Sequence, residues 1–71
     1  MAESVYKFIE LVGVSSTSWE KAAAAAIERA ALTLRELRVA EVIQQDIVID
    51  NNKITGYRTK IKLSFKVEKV D

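Results

Sequence analysis

The sequence contains no cysteine and no histidine. Without cysteine, the chain cannot form a disulfide, bind a metal through thiolates or use a thiol nucleophile. Without histidine, it lacks the commonest general base and the commonest zinc ligand of proteins. The hydroxyls of Ser15–Ser18 have no histidine or lysine arranged to activate them, and no paired-acid motif or phosphate-binding loop is present. These absences predict that the protein is not an enzyme.

Neither sign of charge is in excess. Eleven basic and ten acidic side chains give a formal net charge of +1, so we expect no general attraction to nucleic acid. The segment Met1–Ser4 lacks the basic region and apolar run of a signal peptide. The longest apolar segment is far shorter than the roughly 20 residues that span a membrane. We therefore expect a cytoplasmic protein with no membrane or nucleic-acid partner.

The chain has 71 residues, which predicts one small domain over residues 1–71. A core of this size barely offsets the conformational entropy lost on folding, and small domains usually add disulfides, metals or partner subunits. Hydrophobic residues make up 49% of the sequence, which is high for a small domain with no internal cross-link. We therefore expect further apolar surface to be buried between copies of the chain.

The first half predicts a strand followed by a helix. Val5–Val12 is rich in β-branched, aromatic and aliphatic residues, which indicates a strand, and we expect Gly13 to end it. Thr17 and Glu20 fit a capping box, in which the Thr17 hydroxyl accepts the Glu20 amide and the Glu20 carboxylate reaches back. Apolar residues at helical spacing then predict a helix from Ser18 to about Leu37.

The second half predicts two strands. Val39–Ile49 is β-branched, with a bend or bulge expected at Gln44–Asp46. Asp50–Lys53 has the composition of a turn. In the last strand, apolar and polar residues alternate, with one side carrying Tyr57, Thr59, Ile61, Leu63, Phe65 and Val67 and the other carrying Arg58, Lys60, Lys62, Ser64, Lys66 and Glu68. The prediction is an α+β fold of order β-α-β-β, a three-stranded antiparallel sheet wrapped on one helix.

The sequence also resembles a known family over essentially its whole length. The resemblance is carried by Val5-Tyr6-Lys7, Ile9-Glu10, Val12-Gly13, the run into Ser18-Trp19-Glu20, Ala22-Ala23, Glu28-Arg29-Ala30, Leu37-Arg38, Glu41-Val42, Tyr57 and Phe65. These residues resemble the dodecins, small β-α-β-β proteins that assemble into hollow dodecamers and in many members store flavins. The resemblance implies a homododecamer that holds a small molecule or an ion.

Three positions match the flavin pocket of that family: Val39, Gln44 and Arg58. Flavin-binding dodecins have a tryptophan at the Val39 position, where its indole stacks on the flavin ring, and a glutamine at the Arg58 position. Arginine donates hydrogen bonds but cannot accept them. The resemblance therefore implies that flavin binding is lost or weakened, because a stack and a matched amide are both replaced. The alternative is a flavin store for riboflavin or FMN in which Arg58 contacts the ring edge and the phosphate.

A subgroup without that tryptophan, the calcium dodecins, has sequences similar to Arg38-Val39-Ala40 and Gln44-Gln45-Asp46. A calcium ion needs several oxygen ligands. The candidate ligands here are Glu41, Asp46 and Asp50, and a site between subunits could collect single carboxylates from several copies.

Three further features each allow two interpretations. The last strand carries a basic stripe, defined as Arg58, Lys60, Lys62 and Lys66. It either binds a small anion or is a solvated face paired with carboxylates such as Glu41. Trp19 is either a ligand-stacking platform or a packing residue beside the helix cap. Glu10 interrupts an apolar strand either as a metal ligand or as the partner of a basic side chain.

Overall fold

Residues 3–67 are described by a computed structural model, and they form one helix and three strands. The elements in chain order are β1 (Tyr6–Ser15), α1 (Trp19–Ala31), β2 (Leu37–Asp50) and β3 (Lys53–Lys66). The strands form one antiparallel sheet in the order β1-β3-β2, so the last strand is central. The predicted β-α-β-β order and antiparallel sheet are confirmed.

The helix begins one residue later than predicted, at Trp19 instead of Ser18. Ser18, not Thr17, is the N-cap: its backbone is extended and its hydroxyl accepts the Lys21 amide at 3.0 Å. The Thr17 amide instead donates to the Ser15 hydroxyl. The predicted capping box is therefore wrong, because the residue three positions after the true cap is a lysine, which has no carboxylate to reach back.

The helix also ends earlier than predicted, at Ala31 rather than near Leu37. The amides of Thr33 and Leu34 both donate to the Ala30 carbonyl, at 3.2 and 2.9 Å, and the helical ladder stops there. Glu36 then adopts a left-handed conformation with φ 60° that turns the chain into β2. Residues 32–37, assigned to the helix by periodicity, thus belong to the connection and to the start of a strand.

The core lies between α1 and the central strand. The helix buries three alanines at four-residue spacing, Ala22, Ala26 and Ala30, and β3 buries Thr59, Ile61 and Leu63. The predicted alternation of β3 is confirmed by this burial, except that Ser64, expected on the polar side, is also buried. Ser64 lies opposite Phe8 and Val39, whose larger side chains flank it. Glu68 lies outside the described residues.

Gly13 does not end β1. It pairs with Thr59 inside the strand, which continues to Ser15. A Cβ built on Gly13 would overlap the backbone carbonyl of Ala22. Gly13 therefore allows the first turn of α1 to approach the backbone of β1 closely. A side chain at this position would prevent that approach.

The β2–β3 hairpin turns at Asn51 and Asn52, which have φ values of 56° and 64°. Two consecutive left-handed residues define a type I′ turn, whose twist suits a two-residue hairpin. The predicted turn is confirmed. The irregularity predicted at Gln44–Asp46 lies just before that segment: the register shifts between Val42 and Gln44, whereas Gln44–Asp46 pair regularly with β3. Two further shifts lie at Leu37/Val39 and Val48/Ile49.

Much apolar surface stays uncovered. Thirteen large hydrophobic side chains among residues 3–67 are exposed: Val5, Tyr6, Phe8, Val12, Val14, Leu32, Val39, Val42, Ile43, Ile47, Ile49, Ile54 and Val67. Exposed apolar surface on this scale is typical of interaction sites. Within residues 3–67, no helix is long and apolar enough to cross a membrane.

Replacing Gly13 with alanine should destabilise the fold. The new methyl group meets the Ala22 backbone, which cannot rotate away, so we expect a loss of about 2–3 kcal/mol in the free energy of unfolding. Gly56→Ala is the matched control, because the nearest atom to its Cβ is 3.6 Å away; we expect a change below about 1 kcal/mol. Denaturant unfolding of the two variants measures both, and equal losses would contradict the close-approach argument.

Candidate functional site

The sheet face opposite α1, here called the open face, carries most of the charged side chains of the strands. Alternation along β3 places Arg58, Lys60, Lys62 and Lys66 on it. Neighbouring positions on β1 include Glu10 and Val12, and those on β2 include Glu41, Gln44 and Asp46. The candidate site is therefore built from the central strand and from both of its neighbours.

The best-defined contact on the open face is the ion pair of Asp46 and Arg58. The Arg58 Nε donates to Asp46 Oδ1 and its Nη2 donates to Oδ2, both at 2.8 Å. The two residues lie directly opposite each other on β2 and β3, and their side chains are 38% and 49% exposed. Bidentate arginine–carboxylate pairs have the most demanding geometry of protein ion pairs.

This pair shifts the ionisation of both groups. The hydrogen bond from Arg58 is the main cause that lowers the pKa of Asp46 below its ordinary 3.8, and the positive charge of Arg58 adds to it; partial desolvation opposes the change. The hydrogen bond to Asp46 correspondingly raises the pKa of Arg58. Both side chains are therefore charged throughout the neutral range.

Two further basic side chains of the stripe have partners. Lys60 Nζ lies 3.6 Å from Glu10 Oε1, which confirms the interpretation of Glu10 as a salt-bridge partner. Lys62 Nζ lies 5.8 Å from the centre of the Phe8 ring, within the range of a cation–π contact. Glu41, the expected partner, lies opposite Lys62, but the ion pairs of the stripe are formed by Glu10 and Asp46.

Trp19 is a packing residue on the helix side of the sheet. Its Nε1 donates to the Asp46 carbonyl at 3.0 Å, and its ring meets the Tyr57 ring edge-on at 5.3 Å between centroids. The Thr59 hydroxyl donates to the Trp19 carbonyl at 2.9 Å. The start of the helix is thus attached to β2 and β3 directly behind the Asp46–Arg58 pair.

The three positions that match the flavin pocket do not all meet. Gln44 and Arg58 line one depression of about 160 Å³ on the open face, together with Val12, Asp46 and Lys60. Val39 lies opposite Ser64, is 61% exposed, and borders a separate hollow beside Leu37 and Leu63. A single chain therefore brings two of the three predicted positions together.

The three predicted calcium ligands are spread along one strand. Glu41, Asp46 and Asp50 lie on β2. Successive members are about 13–17 Å apart along the strand at about 3.3 Å per residue. Among residues 3–67, no group of three acidic side chains is close enough to hold a metal ion. The oxygen chemistry suits calcium, but one chain does not gather the ligands.

A long apolar groove runs between α1 and the free edge of β1. It has a volume of about 910 Å³ and is lined mainly by aliphatic side chains of β1, by alanines of the helix and by the connection after it, with Arg29 as its charged residue. No residue pattern along the chain indicates this groove. It depends on how the thin alanine face of the helix sits on the strand.

Comparison with known proteins identifies close relatives. A family model described as Dodecin matches residues 5–68. The calcium dodecin of Mycobacterium tuberculosis is 52% identical over 64 residues, which cover 90% of each chain. The dodecin of Thermus thermophilus is 38% identical over 64 residues, or 90% of this chain and 93% of the relative.

Solved structures of dodecins also superpose on this chain. A dodecin from Streptomyces coelicolor superposes with a TM-score of 0.91 at 31% identity, covering 99% of this chain and all of the other. The crystal structure of the Mycobacterium tuberculosis calcium dodecin, described as having a novel calcium-binding site, superposes with a TM-score of 0.82 at 48% identity. That match covers 96% of this chain and 97% of the other.

Replacing Arg58 with glutamine should raise the pKa of Asp46 toward its ordinary 3.8, because the guanidinium hydrogen bonds are its main perturbation. The Asp46–Arg58 pair stabilises the fold at a pH above the ordinary pKa of Asp46, and this stabilisation is lost as the pH falls through the lowered pKa. The variant lacks the pair, so its free energy of unfolding should decrease less in acid. Carboxyl-carbon NMR titration measures the pKa. Arg38→Gln, which removes an exposed pair with Glu36 elsewhere, should leave it unchanged. An unchanged Asp46 pKa in Arg58→Gln would contradict the assignment.

Proposed function

The chain belongs to the dodecin family, and on that premise we propose that it is a cytoplasmic binding and storage protein that forms a hollow homododecamer and takes up calcium at sites shared between subunits. The observation that carries the calcium proposal is the 52% identity with a calcium dodecin over 90% of both chains. The role is binding rather than catalysis. A small anion is a second ligand class for the basic stripe.

The uncovered surface of the chain supports assembly. The helix covers one side of the sheet, while the apolar groove beside β1 and the exposed residues of the β2–β3 hairpin stay open to solvent. Ile49 and Ile54, beside the hairpin turn, are 66% and 58% exposed. Burying such surface against identical copies is the means by which a small domain without cross-links gains stability.

The distribution of the acidic residues supports a shared calcium site. Calcium takes six to eight oxygen ligands, and carboxylates that can be supplied singly suit a site formed between chains. Glu41 and Asp50 lie on an edge strand and are exposed. Copies related by symmetry would bring equivalent carboxylates to the same axis or interface.

Flavin binding in the manner of other dodecins is not favoured. The exposed side chain at the stacking position is valine, which has no aromatic face. The side chain at the glutamine position is Arg58, and the bidentate contact with Asp46 already engages its guanidinium. We therefore propose that flavin binding is lost or strongly weakened, and the modified flavin pocket remains the alternative.

Calcium titration of chelator-treated protein should give heat and raise the melting temperature, and light scattering should give about 96 kDa, twelve times the 8.0 kDa chain mass. Glu41→Gln and Asp50→Asn should each weaken calcium binding by about tenfold or more if they remove a ligand. Glu28→Gln, an exposed helix carboxylate, is the control and should bind as the parent does. A monomer, or an oligomer without calcium heat, would refute the corresponding part of the proposal.

Riboflavin fluorescence should stay unchanged when micromolar protein is added. The double variant Val39→Trp/Arg58→Gln, which supplies an aromatic face and an amide, should restore quenching if the rest of the pocket is retained. Quenching by the parent protein would instead favour the flavin-storage alternative. Val48→Trp places a tryptophan elsewhere on β2, outside the pocket positions, and controls for non-specific stacking.

A further inference from the structure

The open face carries a depression whose lining has more cationic than acidic side chains. Its volume is about 160 Å³, and its walls are Val12, Gln44, Asp46, Arg58 and Lys60. Gln44 lies opposite Lys60 and Asp46 lies opposite Arg58, so these four residues form one block across β2 and β3. The single carboxylate is paired with Arg58, and a second cation lies beside it. Such a lining repels a metal cation and favours an anion.

Arg58 can bind a further oxygen ligand while it remains paired with Asp46. A guanidinium has five N–H donors in one plane. The pair uses one donor on Nε and one on Nη2, both at 2.8 Å, and leaves two on Nη1 and one on Nη2 for other acceptors. Asp46 also holds the guanidinium in one orientation, which reduces the entropy lost when a ligand binds. The pair therefore prepares Arg58 for a ligand and does not have to open.

Lys60 supplies a second charged donor, two residues further along the same face of β3. Residues two apart on a strand are separated by about 6.6 Å, a distance that two long side chains can close around one small ion. Lys60 Nζ lies 3.6 Å from Glu10 Oε1, which is longer than a hydrogen bond, and the Lys60 side chain is 41% exposed. The ammonium can therefore turn to a ligand without breaking a hydrogen bond to Glu10.

We propose that Arg58 and Lys60, with the Gln44 amide beside them, form a binding site for a divalent oxyanion such as sulfate or a phosphate group. Asp46 is a positioning residue of this site, because it fixes the guanidinium from its other edge. Charge-assisted hydrogen bonds from two cations suit an ion that carries two negative charges. The inference rests on the anion proposed above as a second ligand class, and it assigns that ligand to one part of the basic stripe.

The test is calorimetric titration of the assembled, chelator-treated protein with sodium sulfate, against sodium chloride of equal ionic strength. Sulfate should bind, and acetate, which brings one charge to two cations, should bind at least about threefold more weakly. Lys60→Gln removes one charged donor and should weaken sulfate binding by about threefold or more. Arg58→Lys keeps the charge that balances Asp46 but loses the planar donors, so it should weaken sulfate binding by a similar factor.

Lys66→Gln is the matched control. It removes the same charge from the basic stripe at the end of β3, outside the depression, and should leave the affinity for sulfate unchanged. If Lys66→Gln weakens sulfate binding as much as Lys60→Gln does, the stripe attracts anions as a whole and the site is refuted. The site is also refuted if the parent binds no sulfate, if acetate binds equally well, or if either Lys60→Gln or Arg58→Lys binds sulfate as tightly as the parent.

Calcium titration of the same protein without sulfate tests the proposed function separately. Calcium binding without sulfate binding refutes the oxyanion site alone, and sulfate binding without calcium binding refutes the calcium proposal alone. Light scattering on each variant shows whether it is assembled as the parent is, so that a change in sulfate affinity is compared between equal oligomers.

Discussion

The structure depends on one close contact, in which a thin helix lies across β1 and the central strand β3 of a narrow sheet. Three alanines of α1 meet the buried face of β3, and Gly13 lets the helix start approach the backbone of β1. Larger residues at these positions would lift the helix and open the core. The 13 residues of the helix span about 20 Å at 1.5 Å per residue, whereas each 14-residue hairpin strand spans about 46 Å at 3.3 Å per residue, so the helix covers only part of one face. The rest of the sheet is not covered by the helix and stays exposed.

The irregularities of the β2–β3 hairpin decide which side chains share the open face. Starting from the turn, Asp50 lies opposite Lys53 and Ile49 opposite Ile54. The shift between Val48 and Ile49 leaves an extra residue on β3, so that Asp46 meets Arg58. Without that shift, regular pairing would place Asp46 opposite Tyr57, and the carboxylate and the guanidinium would point to different faces. The ion pair is therefore a consequence of a bulge.

Local patterns in the sequence predict some features of this fold and miss others. The order of elements, the turn within Asp50–Lys53 and the alternation of β3 follow from local composition, and all are found, with buried Ser64 as an exception to the alternation. The end of the helix was wrong because Leu34 and Leu37 keep the apolar spacing after the backbone has left the helix at Ala31. Gly13 was interpreted as a strand end because the sequence does not show the carbonyl of Ala22 above it. The error at the helix end is local, whereas the error at Gly13 concerns contact between two elements.

The candidate site shows the same limit. The flavin positions were predicted from resemblance and the calcium ligands from the oxygen-bearing side chains of β2. Counting along the chain cannot bring Gln44 and Arg58 into one depression or keep Val39 out of it. The register of β2 and β3 brings Gln44 and Arg58 together and places Val39 in a different part of the sheet. It also places the Asp46 side chain on the open face and the Asp46 carbonyl against Trp19, so one residue links the charged face to the start of the helix. Position 46 is therefore fixed through both its backbone and its side chain, so a change of register in the β2–β3 hairpin would break the contact with Trp19 as well as the ion pair.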